Sequence, residues 1–131
     1  MNQSQGTPEI QFIQPPGPPP IGPYSPAVVS RGMVFLSGQI PRNQAGQIVA
    51  DSIEAATQQA LENLRSVLAA AGCSPDCVVK TTVFMTDMGE FDGMNKTYAA
   101  FFGSHRPARS TVQVSRLPAG ARIEIECIAL K

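Results

Sequence analysis

The spacing of apolar residues changes several times along this chain, and each change marks an element. Two short apolar runs, Ala27-Val28-Val29 and Met33-Val34-Phe35-Leu36, flank Arg31-Gly32, the pattern of a β-hairpin. Ser37-Gly38-Gln39-Ile40-Pro41 ends the second strand, and Asn43 to Gly46 reads as loop. From Asp51 to Ala71 the period becomes helical: Ile53, Ala56, Ala60, Leu61, Leu64, Val67, Leu68 and Ala71 recur at three- and four-residue steps. Asp51 with Glu54 resembles a capping box, and Gly72 follows as a stop. Val78 to Thr86 is rich in β-branched residues with apolar groups on both alternating faces, which predicts a central strand buried on both sides. Asp87 and Glu90 cap a second helix whose apolar stripe is Phe91, Met94, Tyr98, Phe101 and Phe102, with Gly103 at its end. Ala108 to Val114 and Arg122 to Leu130 read as two strands joined into a hairpin around Leu117-Pro118-Ala119-Gly120. At the start, Glu9 to Ile13 alternates like a short edge strand. Gln14 to Pro20 follows, proline-rich enough to exclude helix and central strand and to suggest a stiff linker.

The resulting order, β-β-β-α-β-α-β-β, predicts an α+β fold with two helices packed on one face of a mixed sheet. Residues 1–20 form a Pro-rich extension and 21–131 the domain proper. Two helices cover one side of such a sheet only. The other side mixes apolar with charged residues, a composition that fits a subunit interface with pockets better than a solvated surface. In the predicted last hairpin Arg116 faces Ala121, Arg109 faces Ile128 and Glu124 faces Gln113. Arg109, Thr111, Gln113, Glu124 and Glu126 then share one face, with Arg109 and Glu124 roughly 13 Å apart.

Composition narrows the function. A chain of 131 residues, 43% hydrophobic, is one domain with a real core. Lys plus Arg and Asp plus Glu both number 10, so there is no basic footprint for nucleic acid and little self-repulsion to oppose an oligomer. No apolar run is long enough to span a membrane, and the polar start Met1–Gln5 is unlike a secretory signal. An odd count of three cysteines without an export signal suggests reduced thiols in the cytoplasm. Cys73-x-x-x-Cys77 lacks a second ligand pair, so no metal site is expected, and the cysteines read as core or helix-end residues. A single His105, read as an exposed loop residue, gives no Ser-His-Asp triad, and no glycine-rich phosphate loop precedes either helix. Acid–base chemistry then falls to Glu, Asp, Tyr, Lys or water. Arg109 and Glu124 are the most suggestive pair: they form a structural salt bridge or they flank a small ligand, within one chain or between chains, and the pattern alone leaves these open.

Several spaced motifs are more specific. Ile21-Gly22-Pro23-Tyr24-Ser25-Pro26, Phe35-Leu36-Ser37-Gly38-Gln39-Ile40-Pro41, Val79-Lys80-Thr81-Thr82-Val83-Phe84, Asn95-Lys96-Thr97-Tyr98 and Phe101-Phe102 stand in this order. Pro107-Ala108-Arg109-Ser110, Arg116-Leu117-Pro118 and Ile123-Glu124-Ile125-Glu126 follow. Together, from about Gly22 to Leu130, they resemble the RidA (YjgF) family.

That resemblance implies a chorismate-mutase-like fold, a homotrimer and sites in the clefts between subunits. It also implies a hydrolytic deaminase that converts reactive enamines and imines, such as 2-aminoacrylate, to 2-keto acids and ammonia without a cofactor. Arg109 would clamp the substrate carboxylate, Glu124 would deprotonate the attacking water, and a backbone carbonyl near Thr111 would help hold it. Tyr24, Ser37 and Asn95 carry over as polar pocket residues, and Gly38 as a point of close backbone approach. Many relatives have Cys where this chain has Thr111, which argues against an essential thiol. The alternatives are a non-catalytic small-carboxylate-binding or chaperone-like trimer and an endoribonuclease, the latter disfavoured by the zero net charge.

Overall fold

In the computed structural model, which describes residues 9–131, six strands and two α-helices follow the expected order. The polar start Met1–Gln5 lies outside the described residues. The strands are β1 (Gln11–Ile13), β2 (Ala27–Ser30), β3 (Met33–Gln39), β4 (Val78–Met85), β5 (Ala108–Gln113) and β6 (Ile123–Leu130); the helices are α1 (Ile53–Ala70) and α2 (Phe91–Phe102). Arg31 and Gly32 turn the β2–β3 hairpin with φ of 52° and 76°, the left-handed pair that suits a two-residue loop.

The sheet order is β1-β2-β3-β6-β4-β5, antiparallel throughout except for the parallel pair β4–β5. The last two strands are therefore not a hairpin. Strand β5 returns through α2 as a crossover and adds to the outer edge of β4. The chain then passes the end of β4, where Val114 N–H donates to Met85 O at 2.8 Å and Thr86 N–H to Arg122 O at 3.2 Å. Strand β6 fills the gap between β3 and β4. Local turn signals at Leu117–Gly120 favour the hairpin; burial of the apolar β6 face, Ile123, Ile125, Cys127 and Ala129, in the middle of the sheet overrides them.

Both helices pack on that same face. Ala56, Ala60, Leu61, Leu64 and Leu68 of α1 are fully buried against a sheet floor that includes Val34, Val83, Ile123 and Ile125. Each buried leucine contributes on the order of 1.5–3 kcal/mol. Strand β4 is flanked on both edges, as expected of a central strand, but only Val78, Thr81, Val83 and Met85 are buried; Val79 is 42% exposed. The opposite face of the sheet is open in the single chain. Across it Phe12, Val28, Phe35 and Ile128 line up in register, with Lys80 beyond them. Phe12 is 69% exposed there.

The helix starts differ from the expected caps. Ser52 is the N-cap of α1, its Oγ accepting the Ala55 N–H at 3.0 Å, so neither Asp51 nor a capping box closes this end. Asp87 caps a short 3-10 turn ahead of α2, accepting the Gly89 N–H at 2.8 Å, and Glu90 makes no side-chain cap. Ser52→Ala should therefore cost about 1 kcal/mol, read as a lower urea midpoint, while Asp51→Ala should shift the midpoint by less than half as much. Equal losses would mean that the cap is misassigned.

Candidate active site

Arg109 projects from edge strand β5 toward α2. The register places it level with Thr81 of β4, whose side chain is fully buried on the helix side of the sheet. Its guanidinium carbon lies 4.8 Å from the ring centre of Tyr98 and 5.7 Å from that of Phe91, and Nη1 is 4.0 Å from Met94 Sδ. These supports come from the α2 stripe, at steps of three and four residues. Tyr98 is itself fixed: its hydroxyl and Thr81 Oγ1 share a buried 2.7 Å hydrogen bond. Burial, only partly offset by that bond and by the Arg109 charge, raises the Tyr98 pKa and keeps it a neutral phenol. Among the described residues Arg109 has no carboxylate partner, so a guanidinium fork stands on an aromatic shelf with its charge unmatched. Thr111, two residues on, points to the same side, and its Oγ1 is buried without a hydrogen-bond partner. Asn95 is half-buried on α2 next to Met94.

A second group forms around Glu124. Between Leu36 and Gln39 the β3–β6 register slips by one residue, a bulge at Ser37-Gly38. A methyl group at Gly38 would strike Glu124 Oε2, so glycine is required where β3 passes this carboxylate. Ser37 Oγ donates to Ser25 O at 2.6 Å, tying the bulge to the Tyr24 segment, and Tyr24 is 46% exposed. Burial first, and then the nearby Glu126 charge, push the Glu124 pKa above the ordinary carboxylate range. A partly desolvated carboxylate of this kind is a better proton acceptor than one in water.

The expectation that Arg109 and Glu124 share a face is overturned. Thr81 is level with both Arg109 and Cys127, whereas Phe84 is level with both Glu124 and Val112. The two residues are thus two strands and three residues apart, about 14 Å between Cα positions, and parity sends them to opposite faces. Thr111 and Gln113 lie on the helix side with Arg109, and Glu126 lies on the open side with Glu124. Tyr24, Ser37 and Gly38 belong with Glu124; Thr111 belongs with Arg109, and Asn95 lies on α2, the helix that supports it. A cavity of about 690 Å³ touches Tyr24 and Gly38 but neither Arg109 nor Glu124; its other walls are α1, the Pro-rich stretch and the segment after β3, whose Arg42 Nη2 donates to Pro19 O at 3.0 Å. It does not unite the two groups. His105 is not a free loop residue: its Nε2 lies 2.7 Å from Val78 O, and the ring is half-buried.

Comparison with known proteins matches residues 16–131 to the family described as endoribonuclease L-PSP. A RutC family protein of Pyrococcus horikoshii is 49% identical, over 87% of this chain and 91% of its own. The 2-iminobutanoate/2-iminopropanoate deaminase of Escherichia coli is 45% identical, over 87% of this chain and 91% of its own. The crystal structure of Escherichia coli TdcF with bound serine superposes with a TM-score of 0.87 at 42% identity, covering 92% of this chain and 98% of the other.

The two causes of the raised Glu124 pKa are separable. Glu126→Gln removes the neighbouring charge and leaves burial, so the Glu124 carboxyl should titrate at lower pH than in the parent, yet above a solvated glutamate. Carbon-13 NMR of the side-chain carboxyl reads this directly; an unmoved titration would show that the Glu126 charge is not felt.

Proposed function

The chain belongs to the endoribonuclease L-PSP family, the RidA (YjgF) family of its sequence motifs, and we propose that it hydrolyses small carboxylate-bearing imines and enamines, such as 2-aminoacrylate, to 2-keto acids and ammonia. The observation that carries this reading is Arg109: a guanidinium with no carboxylate partner among the described residues, oriented by two rings. The deaminase name of the Escherichia coli relative and the serine bound to TdcF point to ligands of the same size and charge.

The chemistry follows from the groups present. Arg109 holds the substrate carboxylate through two parallel N–H···O bonds. An enamine takes a proton on carbon to become the imine, whose carbon is already electrophilic, so no prosthetic group is needed. Glu124 accepts a proton from water as the water oxygen bonds to that carbon. Its raised pKa suits it to return that proton to nitrogen and then to take the hydroxyl proton as the carbonyl forms, the C–N bond breaks and ammonia leaves. Thr111, with its unpartnered hydroxyl, stands beside the carboxylate clamp, and Tyr24, Ser37, Gly38 and Asn95 complete the pocket.

Because Arg109 and Glu124 face opposite sides of their own sheet, the complete site takes the Arg109 group from one chain and the Glu124 group from the next. A closed homotrimer with a chorismate-mutase-like arrangement supplies three such clefts and covers the open row of Phe12, Val28, Phe35 and Ile128. Among the described residues no helix is long and apolar enough to cross a membrane, and the reading places the enzyme in the cytoplasm. An RNA-cleaving role has less support: the net charge is zero and the single histidine is engaged by Val78 O.

Arg109→Lys keeps the charge but loses the fork, so kcat/KM for 2-aminoacrylate, generated in a coupled dehydratase assay, should fall by roughly ten- to a hundredfold. Glu124→Gln should lower hydrolysis by ~10²-fold or more while 2-keto acid binding, followed by calorimetry, persists. Full activity in Arg109→Ala would remove the deaminase reading.

A further inference from the structure

The cavity of about 690 Å³ adjoins the Glu124 group, and the chemistry described so far leaves it unused. Its volume is that of a small-molecule site, about 300–1,000 Å³. Gly38 is the point of contact: it lines the cavity, and a Cβ there would meet the Glu124 carboxylate. A molecule whose reacting carbon sits at Glu124 can therefore extend past Gly38 and Tyr24 into this space. The Pro-rich stretch forms one wall, to which Pro15, Pro16, Pro18 and Pro20 bring ring carbons and no N–H groups.

Arg42 is the cation on the wall. Its backbone is fixed from both sides: its N–H donates to Ile40 O at 2.8 Å, and its carbonyl accepts from Asn63 Nδ2 at 2.8 Å. The half-buried side chain reaches across to the Pro-rich stretch, where one guanidinium N–H donates to Pro19 O at 3.0 Å. Among the described residues Arg42 has no carboxylate partner, and its remaining guanidinium N–H groups are left for a ligand. Glu62, a carboxylate on the same wall, is already taken by Arg65 at 3.2 Å and by Gln58 Nε2 at 2.8 Å. Asn43 Oδ1 accepts the Ala45 and Gln47 N–H groups at 3.0 Å each, which leaves the Asn43 amide N–H groups as further donors. The free groups on this wall are thus mostly donors, and one of them is charged.

We propose that this cavity receives the far end of the substrate and that this end is a second carboxylate: the enzyme takes 2-imino dicarboxylates, with Arg42 on the distal carboxylate. The inference rests on the deaminase reading and names its substrate class. Arg109 holds the α-carboxylate, the imine carbon stands at Glu124, and the free edge of the Arg42 guanidinium matches a planar carboxylate. A neutral side chain would leave that cation unmatched. The reaction balances as for the smaller imine: one water enters, and a 2-keto dicarboxylate and ammonia leave. Oxidation of an acidic amino acid at its α-carbon is the class of reaction that supplies such an imine.

The test compares the full-length parent with Arg42→Gln on two ligands of similar length, with and without the distal charge. Calorimetry follows 2-oxoglutarate and 2-oxohexanoate. Hydrolysis is followed on the imines that an oxidase forms from glutamate and norleucine, read as loss of the semicarbazone each imine otherwise gives. The parent should favour the dicarboxylate at least ~10-fold in both affinity and kcat/KM, and Arg42→Gln should reduce that ratio by ~10-fold or more. Arg42→Lys should keep part of the preference, since it keeps the charge without the fork. Unchanged circular dichroism in both variants secures the comparison. Absence of the preference in keto-acid binding, or in hydrolysis where hydrolysis occurs, or its survival in Arg42→Gln, overturns the proposal. An Arg42-dependent preference for 2-oxoglutarate in a chain that hydrolyses no imine, 2-aminoacrylate included, would overturn the deaminase reading instead and leave the anion site standing.

Discussion

A pleated strand sends successive side chains to opposite faces, and on β4 that rule decides where the chemistry goes. Thr81 points to the helices, so its parallel neighbour Arg109 does too; Phe84 points away, so its antiparallel neighbour Glu124 does as well. The parity is held firmly because a slip of one residue would expose Val83, Ile125 and Cys127 and bury their polar neighbours. The Thr81–Tyr98 hydrogen bond adds to this, joining sheet to α2 under the Arg109 shelf. Two groups of candidate site residues are thereby held apart in one chain with little freedom to approach.

Features that contribute little to the stability of an isolated chain become coherent from this point. Arg109 is given rings to stand on and no anion among the described residues. Glu124 is partly desolvated beside another carboxylate. The open face carries Phe12, Val28, Phe35 and Ile128 in a row next to Lys80. Each is a local cost that a ligand or a second copy would offset, and the Ser37-Gly38 bulge brings the β3 backbone against Glu124 where that ligand is expected.

Local patterns on the sequence identified every strand and both helices, because the signals involved are short-range: β-branched runs, the α1 spacing of Ile53 to Ala71, Gly32 and Gly103 at chain reversals. What they could not show was which strands are neighbours. The four-residue turn signal Leu117–Gly120 points to a β5–β6 hairpin, whereas the real order depends on which apolar faces fill the centre of the sheet, a property of the whole chain. That one difference reversed the face of Arg109 relative to Glu124. The candidate site residues stand in the family motifs, but the packing that supports them is not written there. Phe91 and Met94 are legible only as part of an apolar stripe, Tyr98 as stripe and motif residue, and nothing in spacing reveals that an arginine from another element lies over them.

The central claim is that each site is completed by a second copy of the chain, and complementation tests it most directly. Chains carrying Arg109→Ala and chains carrying Glu124→Gln, each nearly inactive alone, are mixed in equal amounts, unfolded in urea and refolded together. If each cleft takes its two groups from adjacent chains of a trimer, random assembly restores both native residues in about a quarter of the clefts, and 2-aminoacrylate hydrolysis should recover to about that fraction of the refolded parent. A refolded mixture no more active than either variant alone, alongside a parent that regains full activity, would contradict the shared site.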